Sequence, residues 1–409
     1  MSEPAPQEAT APSLAALTLI AVIFINMLGF GIIVPLLPFY AKSFSAEAWQ
    51  IALVFSAYSA GAFFGEPLWG RLSDKYGRKP LLISTSIGNV LCFLALAFAP
   101  NVWAALAIRF LGGLASGNGA VIQGYIADVT PSARRARTMS YMGAAWNIGL
   151  IVGPSLGGLF AHPEAGPIGF QIPLFIAAGF SATSALAIML LIRESRERQP
   201  REEATGNRWA VAGEVMRHPV LGRLMLLTFL VGFAFTGIES IFGLWTQARF
   251  GWGPKEIGLC FAFVGISAAF TQTFVTGPLS ERYGPGRMLA AGMAVTLVGQ
   301  LLQPLSTGAP MVIALMCLTA IGQSVAWPNV SAMISDTAPE DRQGQILGLN
   351  NAMGALSRVA GPLFAGLSFA GISPNAPFIQ GALIVAPSIW LAIIAAKRAE
   401  AWGRSGAKP

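Results

Sequence analysis

Charged residues are scarce in this sequence. Only 11% of its 409 residues are Asp, Glu, Lys or Arg, whereas a soluble domain carries about 25%. Hydrophobic residues make up 54% of the chain, and the mean hydropathy is +0.61. This balance excludes an ordinary soluble domain and predicts a protein that crosses the lipid bilayer several times.

Cysteine and histidine are also scarce, which excludes most metal and redox chemistry. Cys92, Cys260 and Cys317 all lie within apolar runs and lack the spacing of metal ligands. His162 and His218 fall in predicted loops, so no Ser/His/Asp set or metal site is available. We therefore expect no enzymatic activity, no metal and no cofactor. The absence of G-x-x-x-x-G-K-[ST] also argues against coupling to ATP.

Long apolar runs are abundant. Each has about 20 residues or more, which spans the hydrocarbon core at about 1.5 Å per residue. Strands of a membrane barrel would be shorter and would alternate in polarity. We predict an all-α membrane protein with twelve transmembrane helices in two six-helix pseudo-symmetric halves. The runs lie near 14–40, 50–70, 80–99, 102–127, 137–160, 170–192, 220–246, 255–276, 287–306, 309–335, 343–370 and 376–396.

Polar segments set the predicted domain boundaries. The predicted parts are a disordered cytoplasmic tail at 1–13, an N-terminal half at 14–192, a cytoplasmic linker at 193–219, a C-terminal half at 220–396 and a cytoplasmic tail at 397–409. The first tail has two acids and no base, so a cleavable signal peptide is not expected. Within the linker, a surface helix is compatible with the sequence near 208–217.

Lysine and arginine are distributed unevenly between the predicted loops. With the N-terminus in the cytoplasm, 21 of the 26 lie on the cytoplasmic side. Only Lys42, Arg249 and Lys255 lie on the other side. The positive-inside rule then predicts an inner-membrane protein with both termini cytoplasmic. The same distribution accounts for the net charge of +7 without nucleic acid as a partner.

The two predicted halves share sequence segments. Three pairs match at an offset of 207 or 208 residues, which predicts that the second half is a parallel repeat of the first. Parallel repeats imply a pseudo-twofold axis along the membrane normal and a central site between the halves. The pairs are GRLSDKYGRK (70–79) with GPLSERYGPG (277–286), YIADVTPSARR (125–135) with MISDTAPEDRQ (333–343), and GPSLGG (153–158) with GPLFAG (361–366).

These segments resemble motifs of the major facilitator superfamily. GRLSDKYGRK resembles its loop 2–3 motif, and GPLSERYGPG resembles the degenerate second copy. RFLGGLASG (109–117) resembles the helix 4 motif, and GLIVGPSLGG (149–158) resembles the helix 5 motif of antiporters. LGFGIIVPLLPFYA (28–41) is similar to helix 1 of the branch that contains the tetracycline exporters. The resemblance covers the whole chain and implies a drug:proton antiporter that works by alternating access.

The resemblance implies a cytoplasmic latch. Asp74 would dock on the N-terminus of helix 11, whose dipole favours an anion, and Arg78 would pair with Asp128. Glycines would allow close helix approach and a tight turn. The second copy lacks the equivalent of Arg78, so a weaker latch is predicted there. The alternative is that these charges only fix topology. The latch residues are Gly70, Asp74, Gly77, Arg78 and Asp128.

Small residues recur along helix 5. Their spacing of about four residues lets helix backbones approach closely. We expect this face to pack on helix 8 and to seal the halves against proton leak. Plain helix packing is the alternative, and the two readings are compatible. The residues are Gly149, Gly153, Pro154, Gly157 and Gly158.

Four ionisable residues fall inside predicted helices: Glu66, Arg109, Glu239 and Arg358. Burying a charge in a membrane costs at least ~2.5–3.5 kcal/mol on insertion scales, so each is a functional hypothesis. A carboxyl group shielded from water can bind a proton near neutral pH, and substrate binding can then favour its release. Glu239 either couples protons, binds substrate or forms a structural pair with Arg358. Glu66 either binds the proton, holds a structural partner or gates the cavity. Arg109 either modulates a proton site or is structural.

Helix 1 departs from the resemblance at Asn26. Tetracycline exporters and many of their relatives carry an acid there, so Glu66 and Glu239 are left as candidate proton carriers. Amides such as Asn26 and Gln123 within apolar helices suggest a wide cavity suited to an amphipathic organic substrate. Each amide taken alone is also compatible with a helix–helix hydrogen bond.

The combined prediction is a proton-driven exporter of small amphipathic organic compounds. Its partners would be the small-molecule substrate, protons and the lipid bilayer, and it would act as a monomer. A proton symporter or uniporter for a metabolite or lipid is the alternative. A non-transporting membrane sensor or scaffold is the alternative from another class.

Overall fold

The computed structural model describes residues 14–130, 132–195, 208–339 and 342–404. The predicted tail at 1–13, the middle of the predicted linker and the residues beyond 404 lie outside the described residues. The predicted C-terminal tail begins as helix, because the last helix continues to Arg404 without a break. The helix predicted near 208–217 is confirmed.

The described chain consists of helices joined by short turns. Span 1 combines α1 and α2, span 4 combines α5 and α6, and span 8 combines α11 and α12. The other spans are single helices, and α9 lies between spans 6 and 7. The bounds are α1 (Leu14–Ile33), α2 (Leu37–Lys42), α3 (Ala48–Tyr76), α4 (Arg78–Ala97), α5 (Val102–Ala115), α6 (Asn118–Val129), α7 (Ser132–Phe160), α8 (Gln171–Leu191), α9 (Arg208–Arg217), α10 (Leu221–Phe250), α11 (Pro254–Phe270), α12 (Gly277–Tyr283), α13 (Pro285–Leu302), α14 (Ala309–Thr337), α15 (Gln343–Gly371) and α16 (Ala376–Arg404).

Ten segments among the described residues are long and apolar enough to cross a membrane. The other two spans are the broken pair α5–α6, of which α5 is apolar but short, and α15. The latter has 29 residues, but Arg358 and the amides Asn350 and Asn351 make it less apolar. The predicted all-α fold with twelve spans is confirmed.

Three spans that the sequence predicts as continuous are interrupted. Span 1 has a 3-10 turn at Val34–Leu36, where Pro35 cannot donate a backbone hydrogen bond. Span 4 breaks between Ala115 and Asn118. Span 8 contains a π-helical segment at Thr271–Thr276, a feature frequent at functional sites.

Hydrophobic packing distinguishes the two ends of the bundle. We call the end where α8 finishes and α10 begins the linker end. At the opposite end, one cluster draws buried residues from both halves, including Leu37 and Trp245. Toward the linker end each half has its own cluster, around Tyr125 in the first half and Leu224 in the second.

Hydrogen bonds between the halves follow the same pattern. Lys42 Nζ donates to Gln247 Oε1 at 2.7 Å. Ser56 Oγ donates to the carbonyl of Val359 at 2.7 Å. Both bonds lie away from the linker end. The halves are therefore joined at the opposite end and separated at the linker end, so the structure is open on the linker side.

The internal repeat is visible in the backbone. Gly77 has φ 99° and ψ 160°, and Gly284, 207 positions later, has φ 84° and ψ 149°. Each donates its N–H to a serine carbonyl, Ser73 O and Ser280 O respectively. A side chain would be strained at such positive φ. The same tight turn thus closes the second span of each half.

Candidate functional site

Glu66 faces the interior of the bundle. Phe64 and Leu68 are exposed on the outer surface of α3, and each lies two residues from Glu66, or about 200° around the helix. On another face, Gly61 and Gly65 pack closely on α5. Glu66 is itself exposed on the face of α3 opposite Phe64 and Leu68, and we infer that its carboxylate lies in the space that opens between the halves.

Arg358 faces the same space from α15. Leu356 and Leu367 are exposed on the outer surface, about 200° and 180° around the helix from Arg358. The guanidinium leans back along α15, because Nη1 lies 3.7 Å from where a Cβ on Gly354 would be. Helical side chains lean this way, toward the N-terminus of their helix. Trp327 of α14 packs at the same glycine.

Glu239 lies above Arg358 within the second half, on the side away from the linker end. Helices α10 and α15 run parallel, since Gly232 lies beside Ser357 and Gly237 beside Gly361. That register places the Glu239 backbone about 8 Å above that of Arg358. Glu239 is half-buried on α10, and its side chain leans down toward Arg358.

Glu66 lies below Arg358, on the linker side. The hydrogen bond from Ser56 to Val359 fixes the antiparallel register of α3 and α15. Glu66 is then about 13 Å below the level of Arg358. Because α3 runs in the opposite direction, the Glu66 side chain leans up toward Arg358 while the arginine leans down.

Arg358 is within electrostatic reach of both Glu66 and Glu239. Within the described part of the chain, no nitrogen–oxygen pair of 4.0 Å or less joins Arg358 to either carboxylate. The direct ion pair that was one alternative for Glu239 is therefore absent in this conformation. Both carboxylates remain available to bind protons.

Arg109 is buried in the first half, with 5% of its surface exposed. Its guanidinium lies 4.5 Å from the ring centroid of Tyr58, and its Nε has no hydrogen-bond partner in the described structure. Tyr58 packs on Phe30 of α1 at 5.4 Å and is also within electrostatic reach of Glu66 and Arg358. Tyr58 therefore joins α1, α3 and α5 of the first half.

Sequence reasoning missed Tyr58. A tyrosine within an apolar helix gives no signal until its neighbours are known.

Asn26 also lies in the first half, one turn before Phe30 on α1. Its Oδ1 and Nδ2 are buried without a hydrogen-bond partner in the described structure. Gln123 of α6 is exposed. Neither amide therefore serves as a satisfied bond between helices here, and Asn26 is a buried polar group without a partner in the described structure.

The glycine face of α7 corrects one prediction. Gly149, Gly153 and Gly157 pack on α1, and a Cβ on Gly153 would lie 2.7 Å from the Cα of Gly31. The predicted contact of these residues with span 8 is therefore wrong. Residues four apart share one face of a helix, and that face turns toward α1 within the same half.

Gly158 lies on a different face of α7 and does reach span 8. A Cβ there would lie 2.5 Å from the carbonyl oxygen of Pro254. Reciprocally, a Cβ on Gly258 would lie 2.6 Å from the carbonyl oxygen of Pro154. Asn147 Nδ2 extends the contact by donating to Gln272 Oε1 at 3.3 Å. The seam between the halves thus rests on Gly158, Pro154 and Gly258.

The charges at the linker end of the first half form one network around Arg78. Its Nη2 lies 2.9 Å from Asp74 Oδ1, and its Nε donates to Asp128 Oδ2 at 3.1 Å. Its Nη1 donates to Ser73 Oγ at 2.6 Å. The predicted pair of Arg78 and Asp128 is present, whereas the role of these charges as a latch stays a prediction.

One part of the predicted latch is absent. A Cβ on Gly70 would meet nothing within 4 Å, so no helix approaches closely there. The physical reason is that the halves are separated at the linker end in this conformation. The docking of Asp74 on α15 stays a prediction.

Glu194 completes the network, and sequence reasoning missed it. Its two carboxylate oxygens accept hydrogen bonds from the backbone N–H groups of Arg78 and Lys79, at 2.7 and 3.1 Å. A carboxylate at a helix N-terminus also interacts favourably with the dipole of α4. The available signal was an acid directly after the last apolar run of the first half.

We predict that Glu194→Ala lowers the free energy of unfolding by about 1 kcal/mol, because two backbone donors of α4 lose their acceptor. The melting temperature of the purified protein should fall. Glu194→Gln should fall less, since its amide oxygen can still accept one bond. Glu164→Ala, in an exposed loop, is the control and should not change the melting temperature. Equal melting of all four proteins would contradict this capping role.

Comparisons with known proteins extend over nearly the whole chain. A family model described as the Major Facilitator Superfamily matches residues 19–272 and 224–409. Tetracycline resistance protein, class C, of Escherichia coli is 31% identical over 402 residues, 96% of this chain and 98% of its own. Multidrug resistance protein 2 of Bacillus subtilis (strain 168) is 24% identical over 381 residues, 92% of this chain and 94% of its own.

A solved structure matches the fold. A bacterial homologue of the human lysosomal transporter Spinster, in an inward-facing and unoccupied conformation, gives a TM-score of 0.74. The match covers 94% of this chain and 95% of that one at 16% sequence identity. It supports the arrangement of the spans in both halves.

Proposed function

The chain belongs to the Major Facilitator Superfamily as a transporter of the drug-efflux type, and we propose that it exports small amphipathic organic compounds in exchange for protons. The observation that carries the proposal is the interior cluster of Glu66, Glu239 and Arg358. Among the described residues, neither carboxylate has a direct ion-pair partner, although both lie within spans of a largely apolar bundle.

The shape and lining of this space support an organic substrate. It opens at the linker end and is closed at the opposite end by the shared hydrophobic cluster. Trp327 and Tyr58 are partly exposed and offer aromatic surface, while Gln123 offers an exposed amide. Apolar walls with a few polar groups suit amphipathic ligands.

The linker end is the cytoplasmic end in this proposal. Most lysines and arginines lie there, as the positive-inside rule requires of the inner membrane, and both termini would be cytoplasmic. The described conformation is then inward-facing and ready to accept a substrate from the cytoplasm or the inner leaflet. The chain acts as a monomer, because each molecule contains both halves of the site.

Protonation drives the cycle. Substrate binding near the carboxylates favours release of their protons to the cytoplasm. Closure at the linker end and opening at the opposite end then expose the substrate, and renewed protonation favours its departure. The network of Arg78, Asp74 and Asp128 latches the linker end closed in the outward-facing state.

Transport by inverted membrane vesicles tests the proposal. With ethidium and tetracycline as probes, we expect uptake of at least one when the vesicle interior is acidic, accompanied by proton release from the vesicles. A protonophore should abolish the uptake. Uptake driven by the opposite gradient would indicate a symporter, and no probe movement with an intact gradient would favour a sensor or scaffold.

A further inference from the structure

Arg358 has a position that the family resemblance does not explain. We propose that Arg358 is a counter-ion shared by the two glutamates. It pairs with Glu66 when the linker end closes and interacts only with Glu239 when the linker end opens. The proposal rests on the proposed proton coupling and deepens it, because Arg358 then decides which carboxylate holds its proton in each state.

The heights of the three residues permit this sharing. Glu239 lies about 8 Å above Arg358, and Glu66 about 13 Å below it. The two glutamate side chains lean toward the arginine level, and the Arg358 side chain leans toward the linker end, because α10 and α15 begin at the linker end whereas α3 ends there. A long arginine side chain and a glutamate can together bridge most of such a separation.

The two pairs respond differently to the rocking of the halves. Arg358 and Glu239 belong to the same half, where the contacts of Gly232 with Ser357 and of Gly237 with Gly361 hold α10 against α15. Their separation is therefore nearly constant. Glu66 belongs to the other half and lies on the linker side of the Ser56–Val359 bond. Closing the linker end brings it toward Arg358.

The other charged groups near the two glutamates do not take the place of Arg358 as their counter-ion. Arg109 of α5 is buried in the first half and engaged with the Tyr58 ring at 4.5 Å. The charged side chains of α14 and α16 that the structure describes, Asp336, Lys397 and Arg398, lie at the linker end. Tyr58 of α3 is within electrostatic reach of Glu66 and carries no charge of its own near neutral pH.

The test is a pH titration of the purified protein followed by infrared absorption of protonated carboxyl groups. Glu66→Gln isolates the signal of Glu239, and Glu239→Gln isolates that of Glu66. In both backgrounds, Arg358→Gln should move the titration midpoint upward by about one pH unit or more, since a nearby cation favours the ionised carboxylate. Arg358→Lys should restore most of the original midpoint.

The matched control is Arg287→Gln, which removes an exposed cation at the linker end and should leave both midpoints unchanged. A shift of only one glutamate, or none, overturns the sharing.

If Arg358→Gln does not fold, the two single glutamate variants still test the proposal. Two carboxylates that share one cation do not titrate independently, so the wild-type titration should differ from the sum of the Glu66→Gln and Glu239→Gln titrations, and strict additivity refutes the proposal. Because no substrate or gradient is used, failure here is distinguishable from failure to transport.

Discussion

Glu239→Gln should abolish proton-driven export while leaving passive exchange of substrate intact. Glutamine resembles a permanently protonated glutamate, so the substrate can still bind and the halves can still rock. Without a titrating group on α10, a pH gradient no longer drives accumulation. We expect uptake into acid-inside vesicles to fall at least about tenfold, the equivalent of ~1.4 kcal/mol, and its pH dependence to disappear. Exchange of labelled for unlabelled substrate should continue.

Glu164→Gln is the matched control, because it removes a carboxylate from an exposed loop outside the cavity. It should transport as the wild type does. Glu66→Gln, measured in parallel, separates the two candidates, since the variant that loses pH dependence identifies the carrier. If both variants keep an unchanged pH dependence, neither carboxylate couples transport to protons.

Gly158→Val should uncouple the protein without unfolding it. A Cβ at this position would lie 2.5 Å from the carbonyl of Pro254 in the other half. The added side chain therefore prevents the seam from closing but leaves the packing within the first half unaltered. In proteoliposomes we expect an increased passive proton leak and loss of gradient-driven uptake, with a melting temperature close to that of the wild type.

Two other glycines of α7 provide comparisons for the same substitution. Gly157→Val collides with the carbonyl of Ile32 in its own half, so it should lower the melting temperature, by overpacking of about 1–3 kcal/mol. Gly143→Val should change neither property, because a Cβ there meets nothing within 4 Å. A leak caused equally by Gly143→Val would show that the seam is not what Gly158 protects.

The sequence by itself determined the membrane class, the twelve spans and the repeat, whereas the pairing of Arg78 with Asp128 followed from the resemblance to a known family. Span length, hydropathy and motif offsets are properties along the chain, so they can be read without knowing what each helix touches. The tight turns at Gly77 and Gly284 are also visible along the chain, since the two copies of the loop motif carry a glycine at the same place.

Only the tertiary structure decided which neighbour each helix face meets. One residue along a helix turns the side chain by about 100°, which is why Gly157 packs on α1 while Gly158 reaches the other half. No sequence pattern contains the rotation of α7 relative to its neighbours. The same holds for Arg358, whose place between Glu66 and Glu239 depends on the registers of three helices that are distant in the chain. Which end of the bundle is open likewise depends on contacts between the halves.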